Sequence, residues 1–351
     1  MYGNTSNFKY NDKLYDVVLI RSFAIILVVA FHAYYMMMVP AHFPDSMNVY
    51  RDLYYNINCL ILKFRMPLYI FISGYLFSHL ENERGKYKTF KNLLFNKFKR
   101  LILPYFVFST LMMLTTHDFH MSAYWQLSYS HLWFVTMLFW CFIFTRLLSF
   151  LPWRNNLIWK LLISIVFFIL CIQGHLFKPF LNLHNFLPSY FWFWTGYNLY
   201  LNREKIYSFM KSNSVFIISL LVMIYIVGVF YRCRVLIDDD KTTFLTEFAN
   251  LSIILVIWFI TNFIINKSKS DWVKSPILAN LNKYSYGIYI FHNWIQPYMI
   301  STTAKRIFNL EQLAANHVVL FPLMFFITSF FISMFITHLC LKTKVGRYLI
   351  G

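Results

Sequence analysis

The chain has 351 residues, 59% of them hydrophobic and only 13% charged, with 32 Lys and Arg against 14 Asp and Glu for a formal net charge of +18. A soluble domain carries about a quarter charged residues, so this composition excludes an ordinary water-soluble globule. The basic residues fall between apolar runs, and no segment has the pattern of a nucleic-acid module, so nucleic acid is excluded as a partner.

The apolar residues come in runs of about 20, long enough to cross a bilayer core. Ten spans are predicted: 15–39, 56–79, 98–116, 131–150, 157–176, 186–201, 213–231, 246–266, 284–302 and 317–341. The expectation is an all-α, polytopic membrane helix bundle of about ten transmembrane helices, one domain over 1–351 with no fused soluble domain. Polar-leaning residues precede the first run and no small-residue cleavage site follows it, so it reads as a span rather than a signal peptide. With the amino terminus in the cytoplasm, segments on that side hold 22 Lys and Arg and those on the other side seven. The positive-inside rule then makes both termini cytoplasmic. The same distribution explains most of the net charge, with membrane lipid as the surrounding partner.

The first span, YDVVLIRSFAIILVVAFHAYYMMM, carries Arg21 and His32 well inside its ends. Eleven helical residues turn through about 1100°, which brings both side chains within about 20° of one face and about 16 Å apart. Arg21 can snorkel to the inner interface, and His32 can be a satisfied packing residue. An ionisable pair aligned in a span is nonetheless a site hypothesis by default.

The second span, NINCLILKFRMPLYIFISGYLF, brings Arg65 to the depth of His32 and Ser73 to that of Arg21, counting 1.5 Å per residue. A site between these spans would have a His32–Arg65 level and an Arg21–Ser73 level. Pro67 is expected to interrupt this helix and free a carbonyl. Lys63 is expected to snorkel outward, and Gly74 to serve close helix packing.

The loop Glu81–Arg100 is the most basic, and Lys97, Lys99 and Arg100 meet the membrane surface at the head of the third span. They set orientation and attract anionic headgroups, or they hold a phosphorylated cytosolic ligand. His131 and Trp133 open the fourth span, where an aromatic interface belt is expected anyway. In the ninth span Ser285, Tyr289, His292 and Gln296 recur at steps of four, three and four, forming one stripe that should face the bundle interior. Interhelical hydrogen bonding is the plainer account of that stripe.

Other chemistries lack their residues. The sequence has no GxSxG, HExxH or P-loop, and its five cysteines show no metal-ligand spacing, so no metal and no permanently bound cofactor are expected. Cys59 and Cys233 both fall on the outer side, which leaves a disulfide between them open. Carboxylates in the spans are nearly confined to Asp16 and Glu247, which weighs against ion-coupled transport.

Taken in order, Arg21-x10-His32, FRMPLYIFISGYLF, KRLILPY, HLWFV, TGYNL and SYGIYIFH resemble the acyltransferase-3 family of bacterial integral-membrane acyltransferases. The resemblance implies a multi-pass protein of the bacterial inner (cytoplasmic) membrane. It would move an acyl group, commonly acetyl, from cytosolic acyl-CoA to a hydroxyl of a cell-surface or lipid-linked carbohydrate. Arg21 and His32 match the family's essential pair, Arg100 a basic position heading the third span, and His292 the ninth-span histidine. His32 is then the expected catalytic base. Arg21, Arg100 and Ser73 are donor-binding candidates, and Arg65, Tyr289, His292 and His131 are acceptor or oxyanion candidates. Two departures stand out: Val18 occupies a place where relatives often carry an acid, and Arg65 one where a histidine or uncharged residue is frequent. The alternative function is a translocator of glycan or lipid-linked sugar, with His32, Arg65 and His292 along its path. A structural partner of a polysaccharide synthase ranks last, since it leaves Arg65 unexplained.

Overall fold

The computed structural model describes residues 14–36, 48–61, 63–87, 89–152, 156–173, 179–234, 243–267, 274–298, 316–317 and 320–351. All regular structure among them is helical. The elements are α1 Tyr15–Met36, α2 Asn48–Ile61, α3 Arg65–Asn82, α4 Phe90–Lys97, α5 Leu103–Thr116, α6 Ser122–Gln126, α7 Trp133–Leu148 and α8 Leu157–Ile172. They continue with α9 Leu183–Leu201, α10 Arg203–Ser212, α11 Ser214–Arg234, α12 Phe244–Lys267, α13 Pro276–Tyr298, α14 Leu320–Lys342 and α15 Lys344–Ile350. A helix lies at each of the ten predicted spans. The expected span ends at 37–39, 174–176 and 299–302 lie outside the described residues.

Among the described residues, six helical stretches are long and apolar enough to cross a membrane: Tyr15–Tyr35, Phe90–Thr116, Ser122–Leu148, Ser214–Cys233, Phe244–Lys267 and Leu320–Lys342. With exposed apolar side chains such as Phe216, Met223 and Phe230 along α11, they make this a multi-pass membrane protein, because in lipid only a helix satisfies its own backbone.

α1 lies at the centre, packed against α2, α3, α12, α13 and α14. Its neighbours close tightly where side chains are smallest. α3 crosses α9 at Gly74 and Gly196, and the contact is reciprocal. A Cβ at Gly74 would overlap the Phe193 carbonyl, and one at Gly196 would overlap the Phe71 carbonyl. Dispersion between the two backbones replaces the hydrophobic drive that lipid cannot supply.

The second predicted span is not one helix. α2 ends at Ile61, Lys63 and Phe64 form a turn, and α3 begins at Arg65. The expected interruption falls just before Arg65, and Pro67 sits in the first turn of α3, where its missing N–H has no helical partner to lose. The first helical bond of α3 runs from the Leu68 N–H to the Phe64 carbonyl at 2.8 Å, one residue beyond the proline. All five cysteines, including Cys59 and Cys233, are free thiols.

Between α4 and α5 the helix widens into a single π turn, Phe98–Ile102. The extra residue re-aims the side chains on either side of it, a device common at functional sites. Lys97 points inward, with its ammonium 3.3 Å from the centre of the Phe142 ring. Lys99 turns the other way, to lie 3.7 Å over Tyr348 of α15.

Candidate active site

Two cavities are stacked along the buried face of α1, one lined by Arg21 and the other by His32. The Arg21 cavity, about 430 Å³, collects Ser73 from α3, Lys97 and Arg100 from the π turn and its flank, and Tyr286 and Tyr289 from α13. Its wall carries five basic residues, Arg21, Lys86, Lys97, Arg100 and Lys283, and no Asp or Glu side chain. Arg21 Nε is buried with no hydrogen-bond partner. The nearest acid in sequence, Asp16, is engaged elsewhere, accepting from the Tyr75 hydroxyl and the Val17 N–H at 2.8 Å each. So many cations facing one cavity, with no acidic side chain among the described lining residues, are unfavourable unless an anion joins them, and phosphate oxygens are the matching chemistry. Ser73 Oγ donates to the Tyr69 carbonyl at 2.8 Å and contributes an oxygen to the wall.

The His32 cavity, about 320 Å³, is lined by His32 and Tyr35 of α1, Arg65 and Met66 of α3, His131 and Trp133, and Tyr289 and Asn293 of α13. Tyr289 lines both cavities and stands between them. The first-turn position of Arg65 lets its guanidinium lie 3.2 Å from the centre of the Phe31 ring, one residue before His32. Stacking on the aromatic face is a specific use of the planar guanidinium.

Three imidazoles form a row. The His32 and His292 ring centres are 5.0 Å apart, and those of His292 and His131 are 5.3 Å apart. Hydrogen bonds assign two of the tautomers. His292 Nδ1 lies 3.0 Å from the Ile288 carbonyl and must donate to it, which leaves Nε2 as a bare acceptor, buried and unpartnered. His131 Nε2 donates to the Ile290 carbonyl at 3.0 Å, and its Nδ1 accepts from Asn293 Nδ2 at 3.2 Å. The Tyr289 hydroxyl donates to the His131 carbonyl. No hydrogen bond holds the His32 ring among the described residues; it is placed by an edge contact with Phe31 and by His292. With these nitrogens turned to carbonyls, no group of His, Cys, Asp and Glu among the described residues is arranged as metal ligands.

The structure thus brings His32, Arg65, His131, Tyr289 and His292 together, and gathers Arg21, Ser73 and Arg100 one level away. Gln296, last on the stripe of α13, points instead to α1 and α14, donating to the Val29 carbonyl at 3.4 Å and Ser329 Oγ at 3.0 Å. His131 is buried beside His292 rather than in an interface belt. Lys63 lines a third cavity with Arg232 and Glu247. Lys86, Lys283 and Tyr286 carried no signal of their own in the sequence, because charges in short loops look alike until the fold shows which of them line a cavity.

The helical bundle thus holds a cationic cavity and a histidine cavity that meet at one tyrosine, a candidate site inside a membrane protein. The model of the acyltransferase-3 family, described as an acyltransferase domain, matches residues 14–338. The chain belongs to this family and is an acyltransferase. No curated protein and no solved structure gives a match.

Proposed function

We propose that the protein transfers an acyl group, acetyl first among the candidates, from cytosolic acyl-CoA to a hydroxyl of a cell-surface or lipid-linked carbohydrate, in the cytoplasmic membrane of a bacterium. The observation that carries this reading is the pair of cavities joined at Tyr289, one built for an anion and the other holding a row of imidazoles. The helix bundle is read with ten spans and both termini in the cytoplasm, which opens the Arg21 cavity to that side. The coenzyme phosphates then sit among Arg21, Lys97 and Arg100, and the acyl-pantetheine arm runs past Tyr289 toward His32.

His32 is the general base. Its ring nitrogens are not engaged by carbonyls, unlike those of His131 and His292, so one of them can take the proton of the attacking sugar hydroxyl. The oxygen attacks the thioester carbon, the tetrahedral oxyanion collapses, and the thiolate leaves with a proton as free coenzyme A. Arg65, at the level of His32, is the best-placed donor to the oxyanion. Tyr289 is less suited, because its proton already goes to the His131 carbonyl. The bare Nε2 of His292 can only accept, which fits a second sugar hydroxyl rather than an oxyanion.

The test is release of coenzyme A thiol from acetyl-CoA by the purified protein, with de-O-acylated cell-envelope glycan as acceptor. Wild type should release thiol in step with acylation of the glycan, and His32→Ala should lose about 10²–10⁴-fold in rate. Glycan movement across vesicles with no thiol released would replace this reading by the translocator. Near-wild-type transfer by a well-folded His32→Ala protein would remove His32 as the base.

A further inference from the structure

A third cavity, of about 220 Å³, opens between the start of α3, the middle of α9 and the facing ends of α11 and α12. Trp133 and Met66 line it and the His32 cavity alike, so the two are neighbours across a single wall. Its polar lining includes Lys63, Ser189, Arg232, Glu247 and Asn250, with Trp192 and the Cys171 thiol beside them. Arg232, Glu247 and Asn250 are buried, at 7%, 5% and 4% exposure.

This cluster is poorly explained as a clamp between α11 and α12. Arg232 and Glu247 stand 3.8 Å apart at their nearest nitrogen and oxygen, well beyond the 2.7–2.9 Å of a tight charge-assisted bond. Asn250 Nδ2 reaches the other carboxylate oxygen at 3.2 Å. A buried ion pair offsets its desolvation only with close geometry and full hydrogen bonding. Here the Arg232–Glu247 contact is long, and both groups line the cavity. A ligand that both donates and accepts, and has apolar faces for indoles, satisfies such a lining; a sugar ring does all three. A phosphate would meet the Glu247 carboxylate, and an acyl chain would leave the pair desolvated and unbridged.

We infer that this cavity binds a sugar ring of the acceptor adjoining the one acylated, with Glu247 and Asn250 taking hydroxyls, Arg232 donating, and Trp133 and Trp192 flanking the ring. The inference rests on the carbohydrate-acceptor reading above, and it names residues that distinguish the acceptor from the donor.

Binding without turnover separates the two. De-O-acylated cell-envelope glycan is titrated into the full-length His32→Ala protein in lipid nanodiscs, followed by tryptophan fluorescence, and then into the same protein carrying Glu247→Gln or Ser189→Phe. Glu247→Gln removes one charged partner and should weaken glycan binding about tenfold, the loss expected for one hydrogen bond to a charged group. Ser189→Phe fills the cavity from its α9 wall, leaves the ion pair intact, and should weaken binding at least as much. Acetyl-CoA affinity should stay unchanged in both. Equal glycan affinity across the three proteins overturns the inference, as does a parallel loss of acetyl-CoA binding or no glycan binding at all. Glycan bound as expected by wild type that then transfers nothing would keep the sugar site and defeat the acyl-transfer reading alone.

Discussion

Arg21 and His32 sit on one helix yet face different surroundings, and the difference assigns their work. Arg21 Nε is buried beside a cavity of cations, so in the proposed reaction its part is to hold the anionic donor. Arg21→Ala should raise the dissociation constant for acetyl-CoA about tenfold or more, as loss of a buried charged hydrogen-bond donor does, while turnover at saturating donor changes little. An unchanged constant in a calorimetric titration would take Arg21 out of the donor site. Arg65 belongs to the other level. Arg65→Met keeps the stem against Phe31 but removes the charge, and should lower kcat about 10²–10³-fold, with the KM for acetyl-CoA held. If kcat survived Arg65→Met and fell with Tyr289→Phe, the oxyanion role would pass to the tyrosine.

Among elements, the α3–α9 crossing has the tightest tolerance. Gly74 and Gly196 let the two backbones touch, and no rotamer relieves a Cβ pressed on a carbonyl. Gly74→Val should destabilise the fold by about 1–3 kcal/mol, visible as a lower unfolding temperature in detergent. Because Ser73 lines the Arg21 cavity one residue away, donor affinity should fall with it. A variant as stable as wild type would mean that α3 can slide on α9. The π turn is the second decisive element. It divides three successive basic positions, so that Lys97 and Arg100 line the cavity while Lys99 lies over Tyr348.

For the whole molecule, the proposed orientation makes the Arg21 cavity cytoplasmic and the loop between α5 and α6 external. Single cysteines replacing Lys91 and Phe119, both exposed, test it with a membrane-impermeant thiol reagent, the native cysteines having been changed to Ser or Ala. The reagent should label position 119 in intact spheroplasts and position 91 only after lysis. The reverse pattern would put the acyl-CoA cavity on the side without acyl-CoA and defeat the donor assignment.

Much of the site was legible in the residue order. A helix has a fixed rise and turn, so Arg21 and His32 on one span could be placed on a common face and matched in depth to Ser73 and Arg65. The stripe on α13 announced a buried face, because polar groups in lipid must turn inward. Those statements are local, and periodicity determines them. Hydropathy alone did not show the break before Arg65, which only Pro67 signalled. Nor could spacing show that His131 joins His32 and His292, that Lys86 and Lys283 line the Arg21 cavity, or that Arg232 and Glu247 enclose a space beside Trp133. The partners in these groups lie up to 262 positions apart along the chain. Their meeting depends on which helices touch, and dispersion and small-residue contacts decide that only once the bundle has closed.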